Sequence, residues 1–217
     1  MSTDDDLRSW VSEELEWDPK VDADAIAVSA DGGEVTLRGT VGSVRERLEA
    51  QKAAARVAGV RAVENHLTVK LLNEHGRENA ELRGDVLRAL TLDSIVPTSI
   101  DARVDDGWVT LTGSADWQFE REEAELVAGS VFGVLGVVDE VMLNHKPAEA
   151  GDIQLAIKNA FERHAKLDAK KLDVDANNGT VTVTGTVASQ AEHDSAIDAA
   201  WAAPGVTRVE DRVLVAR

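Results

Sequence analysis

The feature that most constrains the fold is a heptapeptide that occurs three times. Gly33-Glu-Val-Thr-Leu-Arg-Gly39 returns as Gly107-Trp-Val-Thr-Leu-Thr-Gly113 and as Gly179-Thr-Val-Thr-Val-Thr-Gly185, with starts 74 and 72 residues apart. A Gly-Val pair follows each copy at a fixed offset, as Gly59-Val60, Gly133-Val134 and Gly205-Val206, each Gly 20 residues beyond the closing Gly. One offset kept three times marks tandem units of related structure. The boundaries read as 1–74, 75–147 and 148–217, three units each close to the lower size limit for a self-sufficient core.

Within each unit the periodicity changes in the same order. Leu7, Val11 and Leu15 recur at helical spacing, as do Leu82, Val86 and Leu90, then Ile153, Ile157 and Phe161. Asp18-Pro19 and Val96-Pro97 mark the loops after the first two of these helices. Alternating runs follow: Ile26, Val28, Ala30; Ile100, Ala102, Val104; Leu172, Val174, Ala176. The turns Asp31-Gly32-Gly33, Asp105-Asp106-Gly107 and Asn177-Asn178-Gly179 lead into the heptapeptide strand, whose Val and Leu face one side and whose Thr faces the other. That alternation predicts a sheet covered on one face only.

The second Gly of the motif is expected to end its strand. A second helix then starts at the capping boxes Ser43-x-x-Glu46 and Ser189-x-x-Glu192, with Trp117 at the Ser position in the middle unit. An Ala-rich face follows: Ala50, Ala53, Ala54; Ala124, Val127, Ala128; Ala196, Ala199, Ala200. In the last strand a polar residue, Asn65, Asp139 or Asp211, falls at an inward position. A bulge, a side chain bonded to its own backbone, or a ligand contact would each account for it. The fold class is therefore α+β: three tandem αββαβ units, each with two helices on one face of a three-stranded mixed sheet. Polar connectors near Asn73–Asn79 and Asn144–Gly151 join them.

These motifs together resemble the BON domain, a family found in osmotically inducible periplasmic proteins, envelope lipoproteins and secretin-associated modules. The resemblance covers nearly the whole chain. It implies a noncatalytic module that binds phospholipid surfaces or neighbouring proteins under osmotic or envelope stress. It also carries over the structural glycines Gly39, Gly59, Gly113, Gly133, Gly185 and Gly205, whose role is backbone geometry.

The residues themselves offer little chemistry. His66, His75, His145, His164 and His193 are scattered without metal-ligand spacing, and there is no cysteine. The doublets Asp105-Asp106 and Glu122-Glu123 read as solvated carboxylates, and neither a phosphate loop nor a nucleophile elbow is present. No catalytic residue, metal, cofactor or small-molecule substrate is expected. The net charge of −17 opposes phosphate backbones, so no nucleic-acid partner is expected.

The acidic start, Met1 to Asp6, precedes no apolar signal core. A cytoplasmic protein is expected as the sequence stands, and a periplasmic one if a signal had been removed. The expected partners are a phospholipid membrane surface, bound peripherally, or a protein, including a second copy. The alternative function is a cytoplasmic interaction scaffold without lipid binding. Two surfaces are candidates. One is basic, Lys158, Arg163, Lys166, Lys170 and Lys171, with a weaker group at Arg45, Arg47, Lys52, Arg56 and Arg61. It either meets headgroups or forms a solvated face with internal ion pairs. The other is aromatic: of five tryptophans, Trp10 and Trp17 fall on the first helix, Trp201 on the last, and Trp108 and Trp117 bracket a strand, where they either anchor in an interface or pack between units.

Overall fold

The computed structural model describes residues 4–70, 78–144, 150–164 and 169–216. His75, His145, Pro147, Lys166, Asp168 and most of both connectors lie outside the described residues. Three sheets are present, with strand orders β1-β2-β3, β4-β5-β6 and β7-β8-β9. The first unit contains α1 (Asp4–Trp17), β1 (Ile26–Asp31), β2 (Glu34–Val41), α2 (Val44–Arg56) and β3 (Ala62–Val69). The second contains α3 (Asn79–Leu92), β4 (Asp101–Asp105), β5 (Trp108–Ala115), α4 (Gln118–Gly129) and β6 (Gly136–Leu143). The third contains α5 (Ala150–Arg163), β7 (Leu172–Asn177), β8 (Thr180–Val187), α6 (Gln190–Trp201) and β9 (Arg208–Val215). The expected αββαβ order holds in all three. By compactness the chain forms two bodies, residues 1–115 with 120–142, and residues 116–119 with 143–217.

The central strand pairs antiparallel with the first and parallel with the last in the outer units. Ile26 faces Gly39 across β1 and β2, and Gly39 faces Leu67 across β2 and β3. The third unit repeats this as Leu172 to Gly185 to Val213. Each hairpin turns on two residues with positive φ: Gly32 and Gly33, Asp106 and Gly107, Asn178 and Gly179. Two such residues produce the tight turn whose twist matches the flanking strands.

The second Gly of the motif does not end its strand, as the sequence led us to expect. β2 continues to Val41, β5 to Ala115 and β8 to Val187. A Cβ at Gly39 would overlap the carbonyl oxygen of Ala25, at Gly113 that of Ser99, and at Gly185 that of Lys171. The backbone just before the hairpin's first strand thus lies directly on the central strand, which only Gly permits. The first Gly of the motif has another task. Its carbonyl accepts from the amide that leads into the last strand, Arg61 to Gly33, Leu135 to Gly107 and Thr207 to Gly179, each at 2.8 Å. This bond explains why the motif and the Gly-Val turn keep a fixed separation.

The cores lie where the periodicities place them. Leu7, Val11 and Leu15 meet Val35, Leu37 and the small face Ala50, Ala53 and Ala54. Ile153, Ile157 and Phe161 meet Val181, Val183, Ala196 and Ala200. Both capping boxes form, with a variation. Ser43 and Ser189 accept from the amides of Glu46 and Glu192, but those carboxylates reach back to Gly42 and Ala188, one residue before the cap. In the first body, α2 also meets α4. Val44 is fully buried, and a Cβ at Gly129 would come within 2.9 Å of its Cγ1. Glu125 is half-buried, and its carboxyl is raised above the usual range by burial and by Asp139, with Arg47 and Arg121 opposing.

The inward polar residue of each last strand is bonded to its own backbone. Asn65, Asp139 and Asp211 accept from the amides of Leu67, Val141 and Val213 at 3.1, 2.9 and 3.0 Å. Its second polar atom clips the strand to the second helix. Asn65 Nδ2 donates to the Arg47 carbonyl at 2.9 Å. Asp139 Oδ2 lies 2.8 Å from Arg121 Nε, an ion pair whose N–H is not aligned for a hydrogen bond. Asp211 Oδ2 lies 2.7 Å from His193 Nε2, while His193 Nδ1 is 3.1 Å from Asp194. Carboxylates on both ring nitrogens favour the imidazolium, and Asp194 and then Asp211 raise the His193 pKa against its burial.

Two predictions follow from this geometry. Gly113→Ala forces a side chain into the Ser99 carbonyl and should cost about 3 kcal/mol or more in urea unfolding. Gly84→Ala, in α3 with open space around it, should instead stabilise by up to about 1 kcal/mol. Equal effects at both positions would refute the overlap argument. The raised His193 pKa makes its contribution complete below the unfolded value of about 6.5 and lost as pH rises through the folded value. The wild type should therefore exceed His193→Gln in stability at about pH 5.5, and the gap should shrink by about pH 8. A gap independent of pH would refute the assignment.

Candidate functional site

The basic residues of the third unit do not act as one group. Lys158 Nζ is 3.0 Å from Asp173 and, with the Val174 amide, holds that carboxyl below its usual range. Arg163 is the exposed last residue of α5. Lys170 and Lys171 are exposed in a 3-10 turn, Ala169–Lys171, that leads into β7. Lys166 lies outside the described residues. Three cations, Arg163, Lys170 and Lys171, thus stand on either side of one connection, while Lys158 turns to a local carboxylate.

In the weaker basic group of the first unit, Arg56 is engaged within its own fold, as is the neighbouring Lys20. Arg56 binds Glu14 and Asp18, each at 3.0 Å, and Lys20 binds Glu49 at 2.8 Å. Arg56, with the Lys20 amide, lowers the Asp18 pKa, and Lys20 lowers that of Glu49. The Arg61 side chain lies over Gly33.

Trp108 points to the helix-free face of its sheet and is 49% exposed. Its ring also lies flat on Gly136, where a Cβ would collide with Cζ3 and Cε3. The corresponding pairs in the other units are Glu34 with Ala62 and Thr180 with Arg208, so this contact belongs to the second unit alone. Val138 and Met142 are exposed on the same face, where the first unit carries Glu64 and Thr68. Beside them is an open depression of about 810 Å³ lined by Arg103, Asp105, Asp106, Trp108 and Thr110. Trp117 is half-buried and stacks on Phe119 with centroids 6.4 Å apart. Trp108 belongs to the first of the two compact bodies and Trp117 to the second.

A further groove joins Trp10 and Trp17, which the sequence places on the first helix but does not pair into a site. Trp10, Glu13, Glu14 and Trp17 occupy one face of α1 and, with Arg56, Val57 and Ala58, line a shallow groove of about 580 Å³. Trp10 is 45% exposed and Trp17 84%. The signal was present in the spacing, since i, i+3/i+4 and i+7 share a helix face. It was obscured by the core stripe Leu7, Val11 and Leu15 on the same helix. The residue that closes the first helix of each unit, Trp17, Leu92 or Arg163, is exposed in all three and differs in chemistry each time.

Among the described residues no helix is long and apolar enough to cross a membrane, and no cluster of three or more His, Asp or Glu could hold a metal ion. Comparison with known proteins bears on the fold and the family. The chain is 32% identical over 128 residues to osmotically-inducible protein Y of Escherichia coli (strain K12). That match covers 55% of this chain and 63% of the relative, so it spans less than two thirds of the relative's length. Two solved structures of CdsD, a structural protein of the type III secretion system of Chlamydia trachomatis, align at TM-scores of 0.28 each. Their identities are 12% and 11%, over 97% and 98% of this chain and 92% and 98% of theirs. Residues 3–70, 78–144 and 150–217 each match the BON domain. The chain belongs to the BON domain family, with three copies of that domain in tandem.

Proposed function

We propose that this protein is a noncatalytic, stress-linked binding protein that associates peripherally with phospholipid surfaces through its third unit. The observation that carries this reading is the cationic connection Arg163, Lys170 and Lys171 in the least acidic of the three units. Family membership and an osmotically inducible relative support the stress link. A chain of net charge −17 is repelled by an anionic surface at long range. At physiological salt that repulsion is screened beyond about 8 Å, so a local cation cluster can still dominate at contact. Each cation near an anionic leaflet contributes on the order of 1 kcal/mol.

The helix-free face of the second unit supports a second reading, a protein-interaction scaffold. Trp108, Val138 and Met142 expose apolar surface there, where the first unit has Glu34, Glu64 and Thr68. An exposed apolar strip on an otherwise polar sheet face suits a protein partner better than bulk water.

Flotation with phosphatidylglycerol-containing and pure phosphatidylcholine vesicles at low and high salt separates the two. The first reading expects salt-sensitive binding to the anionic vesicles only. Charge reversal of Lys170 and Lys171 together should weaken it by roughly tenfold or more. Failure of the folded protein to float with any vesicle would exclude the lipid reading and leave the scaffold.

A further inference from the structure

We propose that the groove along α1 in the first unit is a docking site for a basic segment of a partner protein. In this site an arginine side chain is held between Trp10 and Trp17 over the carboxylate of Glu13. The core stripe of α1 is complete without either indole: Leu7, Val11 and Leu15 are buried in the first unit's core, and neither Trp is part of it. Folding therefore gives no reason for two tryptophans on the solvent side, and exposed aromatic surface of this kind marks a contact site. The pair is also peculiar to this unit. At the positions of Trp10 and Trp17, α3 carries Asp85 and Leu92, and α5 carries Ala156 and Arg163.

Charge names the occupant. α1 bears Asp4, Asp5, Asp6, Glu13, Glu14 and Glu16 against Arg8 alone, so its surroundings attract cations and repel anionic groups. The groove wall already binds one guanidinium: Arg56 Nε donates to Glu14 Oε1 at 3.0 Å, and its other branch reaches Asp18. Glu13 is next along the helix and receives only the Ser9 hydroxyl, at 3.3 Å, among the described residues. A planar guanidinium can stack on an indole face while its edge donates to a carboxylate, which a compact ammonium does less well. An arginine-bearing segment therefore fits better than a lysine-rich one.

This inference does not rest on lipid binding, and the two can fail separately, because the probe here is a peptide and the residues lie in another unit. The test titrates the full chain with tri-arginine amide and tri-lysine amide, followed by calorimetry and tryptophan fluorescence. Saturable binding is expected, with tri-arginine the tighter ligand. Trp17→Ala and Glu13→Gln should each weaken it roughly three- to fivefold, and Trp10→Ala with Trp17→Ala about tenfold or more. Circular dichroism checks that each variant is folded, which the exposure of these side chains favours. Absence of saturable binding would overturn the proposal, as would binding indifferent to both indoles, which is general attraction to an acidic protein. A concentration-dependent mass without peptide, abolished by Trp17→Ala, would instead make a second copy the occupant and overturn the assignment to a partner.

Discussion

The architecture depends on one close approach of backbone to backbone. In each unit the carbonyl that precedes the first strand lies against a glycine inside the central strand: Ala25 on Gly39, Ser99 on Gly113, Lys171 on Gly185. Any side chain there would push the first strand away. The contact sits at the end of the hairpin register, where Ile26 faces Gly39 and Leu172 faces Gly185. It therefore decides where the chain arriving from the first helix meets the sheet, and with it how that helix covers the core. At the opposite end, the hairpin glycine's carbonyl receives the amide that starts the last strand. Two glycines, six positions apart, hold both ends of the unit through backbone geometry.

With the frame set by backbone, the side chains are free to differ. The strand-to-helix clip shows how far. Its strand partner is Asn65, Asp139 or Asp211, and its helix partner is the Arg47 carbonyl, the Arg121 guanidinium or the His193 imidazole. The inner oxygen bonds the backbone two residues on in every copy, so the local strand geometry is constant. Only the outer bond varies, from neutral to permanently ionic to titratable. Surface positions diverge in the same manner, with an indole, a leucine and an arginine at the end of the three first helices. A tandem array can in this way present three different surfaces on one scaffold.

Much of the fold was legible because it is periodic and local. Helical stripes, alternating strands, Asx-Gly turns and capping boxes depend on neighbours within a few residues. Errors arose where a distant segment decides. A lone glycine after an alternating run signals a stop, so the sequence places a strand end at Gly39, whereas β2 runs on to Val41. The true cause, the Ala25 carbonyl, lies 14 positions earlier in the chain. Glu46 was expected to close a box on its own cap and instead reaches Gly42 and the Asp22 amide. Trp108, which the sequence offers as an interface anchor or as packing between units, covers Gly136, 28 residues later, with part of its ring.

By itself the sequence determined the copy number, the order of elements, the inward faces and the family, because each is written in spacing that recurs along the chain. Tertiary structure alone decided which charges and aromatic rings are spent within the fold and which remain at the surface. Arg56 and Lys158 are equally basic in the sequence as Arg163, yet carboxylates brought from other elements engage them. Trp10 and Trp17 become a groove only when the end of α2 is laid beside them. Spacing along a chain specifies which face a side chain occupies, but its partner is set by the packing of segments far apart in sequence.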